Sequence, residues 1–170
     1  SLKEPDLEAV YEMNPELIII SGRQSDYYED LNEIAPTIFM GIDNENYLAS
    51  FEENMTLLGE IFEKQDVVEK GLKEVTEKVE ALNKEVTDLG VNALVTLTNE
   101  GAISAYGANS RFGIIHNSFG FAEADTNIES TGSHGAKVSF EYIADLNPDY
   151  LFVVDRGAVV GGEASASGTL

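Results

Sequence analysis

The chain reads as an α/β protein of two similar lobes with mainly parallel sheets, joined by one long helix. Three observations carry that expectation. The first is an internal repeat: Asn14-Pro15-Glu16-Leu17-Ile18-Ile19-Ile20-Ser21-Gly22-Arg23 aligns without a gap to Asn147-Pro148-Asp149-Tyr150-Leu151-Phe152-Val153-Val154-Asp155-Arg156. The second is that the centres of both copies are apolar runs without alternation, the pattern of a parallel strand covered on both faces. The third lies between the copies, where Val68, Leu72, Val75, Val79, Leu82, Val86 and Leu89 recur in alternating steps of four and three, with Lys and Glu elsewhere. That spacing predicts one helix from about Asp66 to Leu89, closed by Gly90 as its C-terminal cap.

The repeat extends backwards. Leu7–Met13 and Phe140–Leu146 each have the apolar spacing of a short amphipathic helix, and each stops at Asn-Pro because proline disfavours a helical conformation in the residue before it. The repeated unit is therefore helix, Asn-Pro turn, strand and arginine. Further strands are expected at Thr37–Met40, Ala93–Thr98, Ala102–Tyr106 and Leu151–Val154, and helices near Tyr27–Ile34, Tyr47–Glu63 and Arg111–Phe119. These divide the chain into 1–64 as part of an N-terminal lobe, 65–90 as the connecting helix and 91–170 as an incomplete C-terminal lobe. A heptad run this short usually packs on its own protein, so a monomer is expected; a structural module dimerising through the helix is the alternative outside the binding class.

Composition narrows the function. With 170 residues and 43% hydrophobic side chains the chain can bury a core, and a formal net charge of -21 argues against nucleic acid or an anionic membrane surface as partner. There is no cysteine, hence no thiolate metal site or thiol nucleophile in these residues. With two histidines no nucleophile-base or paired-carboxylate constellation stands out, so no enzyme and no intrinsic cofactor are expected. The Gly/Ala/Ser-rich run from Gly157 to Gly168 lacks the Gly-Lys-Ser/Thr ending of a phosphate loop. No signal peptide or membrane span is legible.

Against that acidity there are three arginines, Arg23, Arg111 and Arg156, each placed in a loop after or near an apolar stretch. Guanidinium is the planar, always-charged fork that holds multi-oxygen anions and stacks on aromatic rings. Three of them in similar places predict an anion-binding cleft; one alone would more often make a surface ion pair worth about 0–1 kcal/mol.

The segments EPDLEAVYEMNPELIIISGRQS, LNEIAPTIF, SFEENMTLLGEIF, ISAYGANSRFGIIH and SHGAKVSFEYIADLNPDYLFVVDR, in that order, resemble the substrate-binding lipoproteins of bacterial iron-siderophore ABC transporters. The likeness is nearest to the branch that takes ferric catecholates such as petrobactin and enterobactin-type chelates. It implies two Rossmann-like lobes joined by a helical backbone, the periplasmic-binding-protein type. It also implies that this chain is an internal fragment, with the signal, the lipid-modified cysteine and a ligand-contacting tyrosine outside it. By the same resemblance, Arg23, Arg111 and Arg156 match the cleft arginines, and His134 matches a histidine that can approach or ligate the iron. Glu8 and Glu141, seven residues before Pro15 and Pro148, match glutamates that dock on the membrane permease. The partners implied are a ferric catecholate siderophore and an ABC permease, in an extracytoplasmic setting at the cell membrane. Iron would come only as the siderophore complex, although haem, cobalamin or another iron chelate is bound by related proteins. Tyr28 joins the candidate ligand residues; Tyr27 and Tyr28 could line the cleft or simply pack. His134 alone would read as an ordinary loop histidine, and His116 in FGIIHNSFG reads as structural.

Overall fold

A computed structural model describes residues 4–99, 101–129 and 134–160. The first repeat unit opens with α1 (Leu7–Glu12), capped by Asp6, whose carboxylate accepts from the Ala9 backbone N–H at 3.1 Å. Asn14 then turns left-handed at φ 48°, a conformation Asn tolerates better than most residues and one that the following proline does not bar. β1 (Ile18–Ile20) pairs in parallel with β2 (Thr37–Phe39), and α2 (Tyr28–Ile34) crosses between them. The buried Leu31, Ile20 and Ala35 make the small core of this region.

α3 (Tyr47–Ile61) is tied back by Asn54, which donates to the Gly41 carbonyl at 2.7 Å. α4 (Gln65–Leu89) follows after a turn that runs through Glu63 at φ 53°. Gly90 ends it as expected, left-handed at φ 65° with its N–H on the Thr87 and Val86 carbonyls. The apolar seam of α4 serves two neighbours within the chain. Near its start Val68 packs so closely on α3 that a Cβ added at Gly59 would lie 3.0 Å from it. Near its end Val86 joins Ala93 and Phe121 in the core, and Asn83 donates to the Ser118 carbonyl at 2.9 Å.

The larger sheet is mixed. β3 (Asn92–Asn99) takes β7 (Tyr150–Asp155) in parallel along one edge. Along the other edge, β5 (Ala122–Glu123) pairs in parallel at its start and β4 (Ala102–Tyr106) antiparallel at its end; β6 (Ala136–Val138) then pairs antiparallel with β4. The antiparallel member arises because the tight connection at Gly101, φ 78°, leaves no room for a crossover.

The second repeat unit copies the first in detail. α6 (Phe140–Leu146) is capped by Ser139, which accepts from the Tyr142 N–H at 3.2 Å, and Asn147 turns left-handed at φ 46° before β7. Three sequence expectations need correction. The repeat strands are not covered on both faces: Ile19, Leu151 and Val153 remain 36–49% exposed, and on β7 it is Phe152, on the opposite face from Leu151 and Val153, that joins the core. The helix expected over Arg111–Phe119 shrinks to α5 (Ile114–Asn117), since the preceding residues close a turn. Arg156 is not in a loop but opens the short helix α7 (Arg156–Val160) directly from β7. Of the Gly157–Gly168 run, residues 161–168 lie outside those described.

Candidate functional site

Residues 107–113, which follow β4, form a loop built to hold its own shape. Ser110 is fully buried and its hydroxyl donates to the Gly107 carbonyl at 2.7 Å, while Glu123 accepts from the Ala108 N–H at 2.7 Å. Asn117 reaches back from α5 to the Ala108 carbonyl at 2.9 Å. Gly113 is required by space rather than by backbone angle, because a Cβ there would fall 2.0 Å from the Ala108 carbonyl oxygen.

Arg111 stands on this loop with an exposed side chain. Its Nη2 donates to the Tyr106 hydroxyl at 3.0 Å, and its guanidinium carbon lies 5.2 Å from the Tyr106 ring centre and 4.9 Å from that of Phe112. The two rings meet edge to face, centres 4.8 Å apart and planes at 80°. Three centres separated by nearly equal distances form a triangle, so both rings lie to one side of the guanidinium. Its other side is left for an incoming group.

Gly135 brings the His134 segment to the same place. A Cβ at Gly135 would lie 2.7 Å from both the Ala105 carbonyl oxygen and a carbon of the Tyr106 ring, so the backbone next to His134 is pressed against that ring. His134 itself is exposed. Residues 130–133, before it, lie outside those described. The loop that leads towards it is braced by Asp125, which accepts from the Asn127 N–H at 2.8 Å and from the Tyr142 hydroxyl at 2.7 Å. The Asn127 backbone bond, then the Tyr142 hydroxyl, hold the Asp125 carboxyl below its usual range. Burial, then Asp125, push the Tyr142 phenol up to about 12.

Arg23 and Arg156 are exposed at the carboxyl ends of β1 and β7, in two different sheets, and no described contact joins either to Arg111. Among the described residues the ion pairs are Lys73–Glu77 and Lys84–Asp88, both along α4, and none uses an arginine. Tyr28 is half-buried at the start of α2. His116 is half-buried with Nδ1 3.1 Å from the Phe121 carbonyl. Glu8 and Glu141 are both exposed in the first turns of α1 and α6. The Glu141 carboxyl is lowered by its own backbone N–H and then by the Ser139 hydroxyl. Tyr106 and Phe112 escaped sequence reasoning, although the aromatic residues flanking the arginine in AYGANSRFG were the available signal. Among the described residues no group of three His, Asp or Glu side chains converges on a metal-sized site.

A profile of periplasmic binding proteins matches residues 1–168. The chain belongs to the periplasmic binding protein family. It is 47% identical over 165 residues to the petrobactin-binding protein YclQ of Bacillus subtilis, covering 97% of this chain and 52% of that one. It is 32% identical to the ferric-anguibactin-binding protein FatB of Vibrio anguillarum, covering 96% of this chain and 52% of that protein. The crystal structure of YclQ superposes with a TM-score of 0.92 at 46% identity, over 99% of this chain and 59% of that one. The catecholate-siderophore binding protein VctP of Vibrio cholerae matches with the same score at 35% identity, over 99% of this chain and 61% of that one. The chain thus spans about half the length of the curated relatives it matches. Its fold is theirs, and the proteins so named are binding proteins rather than enzymes.

Proposed function

We propose that this chain is part of an extracytoplasmic protein that binds a ferric siderophore of the catecholate type and delivers it to an ABC permease for iron uptake. The observation that carries this is the state of the arginines. In a chain with 31 acidic residues, none of the three is taken by an ion pair among the described residues. A ferric catecholate spreads several negative charges over oxygens on aromatic rings, which guanidiniums can neutralise, hydrogen-bond and stack upon; each cation-π contact adds roughly 0.5–2 kcal/mol. The iron is a hard ion held by the siderophore's own oxygens, so few protein ligands are needed, and His134 supplies an imidazole where the chelator leaves a position open. The names of the relatives, for petrobactin, ferric anguibactin and a catecholate siderophore, support the same class.

In this reading residues 1–64 belong to one lobe, 65–90 connect, and 91–170 belong to the other, with Arg23 and Arg156 contributed one from each. Tyr28, next to the Arg23 turn, lines the ligand space. Glu8 and Glu141 face the permease. The protein acts as a monomer held at the membrane by a lipid anchor.

The test is a titration of the full-length protein with ferric catecholate, ferric hydroxamate, haem and cobalamin, followed by intrinsic protein fluorescence. Ferric catecholate should bind best. Arg23→Ala, Arg111→Ala and Arg156→Ala should each weaken it by roughly 1.5–3 kcal/mol while melting stays near that of the parent. Equal affinity for catecholate and hydroxamate at low and high salt would sink the charge argument.

A further inference from the structure

We propose that Tyr106 is a positioning residue that fixes the Arg111 guanidinium before ligand arrives and ties it to the His134 segment. The proposal rests on the reading of Arg111 as a ligand residue. An exposed arginine has several rotatable bonds, and ordering it on binding costs free energy that a preformed geometry avoids. Tyr106 can supply that geometry because it is itself immobile: it is 3% exposed, on β4, with Gly135 pressed on its ring. Its hydroxyl takes one guanidinium N–H at 3.0 Å, and its ring, with Phe112, backs one side of the group. The remaining N–H donors are then held on a fixed group for the ligand's oxygens. Arg111 therefore offers the anionic oxygens of the chelate N–H donors whose placement is fixed before the ligand arrives.

In guanidinium NMR of the full-length, ligand-free protein the signals of Arg23, Arg111 and Arg156 can be assigned by substituting each in turn. Arg111 should show slowed guanidinium rotation and ring-shifted resonances, unlike Arg23, and Tyr106→Phe should restore rapid averaging while keeping the ring. In ligand binding, Tyr106→Phe should weaken ferric catecholate about tenfold, the scale of one hydrogen bond to a charged group. In an Arg111→Ala background the same change should add nothing. A freely rotating Arg111 in the parent, or equal losses in both backgrounds, overturns the positioning role. If ferric catecholate fails to bind even the parent protein, the proposed function falls, and the NMR comparison still decides the role of Tyr106 on its own.

Discussion

Replacing Gly113 by alanine isolates the loop that carries Arg111. The residue has a right-handed helical backbone, φ -55°, so alanine meets no conformational penalty there. The obstacle is the Ala108 carbonyl oxygen, 2.0 Å from the new Cβ, with the Ala108 carbonyl carbon and the Ser110 carbonyl oxygen at 3.0 Å. Real contacts of this kind need more than a further ångström, and the offending atoms are backbone, which cannot swing aside as a side-chain tip can. Relief requires opening the turn, at the expense of the buried Ser110 bond to Gly107 and the Asn117 bond to Ala108. Overpacking of this severity costs about 3 kcal/mol. For a chain of this size that lowers the melting temperature by roughly 6–12 °C. Gly71→Ala is the control: it lies inside α4, a Cβ there meets nothing within 4 Å, and alanine should add about 0.5–1 kcal/mol. Thermal unfolding by circular dichroism of the two variants beside the parent decides the matter. A Gly113→Ala protein that melts with the parent would mean that the loop is not closed as described, and the case for a preformed Arg111 would fall with it.

The remaining predictions concern the two acids proposed to dock and the Tyr142–Asp125 brace. Glu8→Ala with Glu141→Ala in the full-length protein should leave siderophore affinity unchanged and abolish uptake through the permease, because rim charges set docking and orientation; normal uptake removes the docking role, and lost ligand binding means both residues are misplaced. Tyr142 has its folded pKa pushed up to about 12, above the 10.0 of a free phenol, so its contribution to stability is complete below pH 10 and is lost as pH rises through about 12. An absorbance titration should show one of the seven tyrosines ionising late, and Tyr142→Phe should delete that step; seven tyrosines ionising together would contradict the brace.

What could be read from the sequence was what short-range physics decides. α4 and its Gly90 cap, α6 and its stop at Asn147, and the cores of β3, β4 and β7 follow from periodicity, capping and the restriction that proline places on its predecessor. The misses share a different cause. β5 and β6 are two and three residues long and have no periodicity to detect; they exist because β3 and β4 offer open edges. The truncation of the Arg111–Phe119 helix depends on Gly113 meeting Ala108, a contact that helical spacing does not encode. The half-bare faces of β1 and β7 could not be foreseen either, since an unbroken apolar run states what a strand can bury and not what is at hand to bury it. For the candidate site the sequence offered a set of residue types, three arginines and a histidine, without saying which of them the fold brings together. The Tyr106–Phe112 cradle was not, because it joins a strand to the loop that follows it.

The same charges that make the arginines conspicuous set up a contest that salt can resolve. A net charge of -21 surrounds any cleft in this chain with a field that repels an anionic chelate at a distance, whereas a guanidinium acts only at contact. The two effects have different ranges. Raising ionic strength from about 0.01 M to 0.15 M shortens the screening length from roughly 30 Å to 8 Å, which removes most of the long-range repulsion and leaves charge pairs a few ångströms apart largely intact. For ferric catecholate the association rate should therefore rise over that interval, and the dissociation rate should begin to rise only at higher salt, where contact pairs are screened too. A neutral ferric hydroxamate should show neither change, which separates screening from any general effect of salt on the fold. An association rate for ferric catecholate that falls with the first addition of salt would mean that positive charge governs the approach as well as the contact, and that the acidic exterior does not reach the mouth of the site.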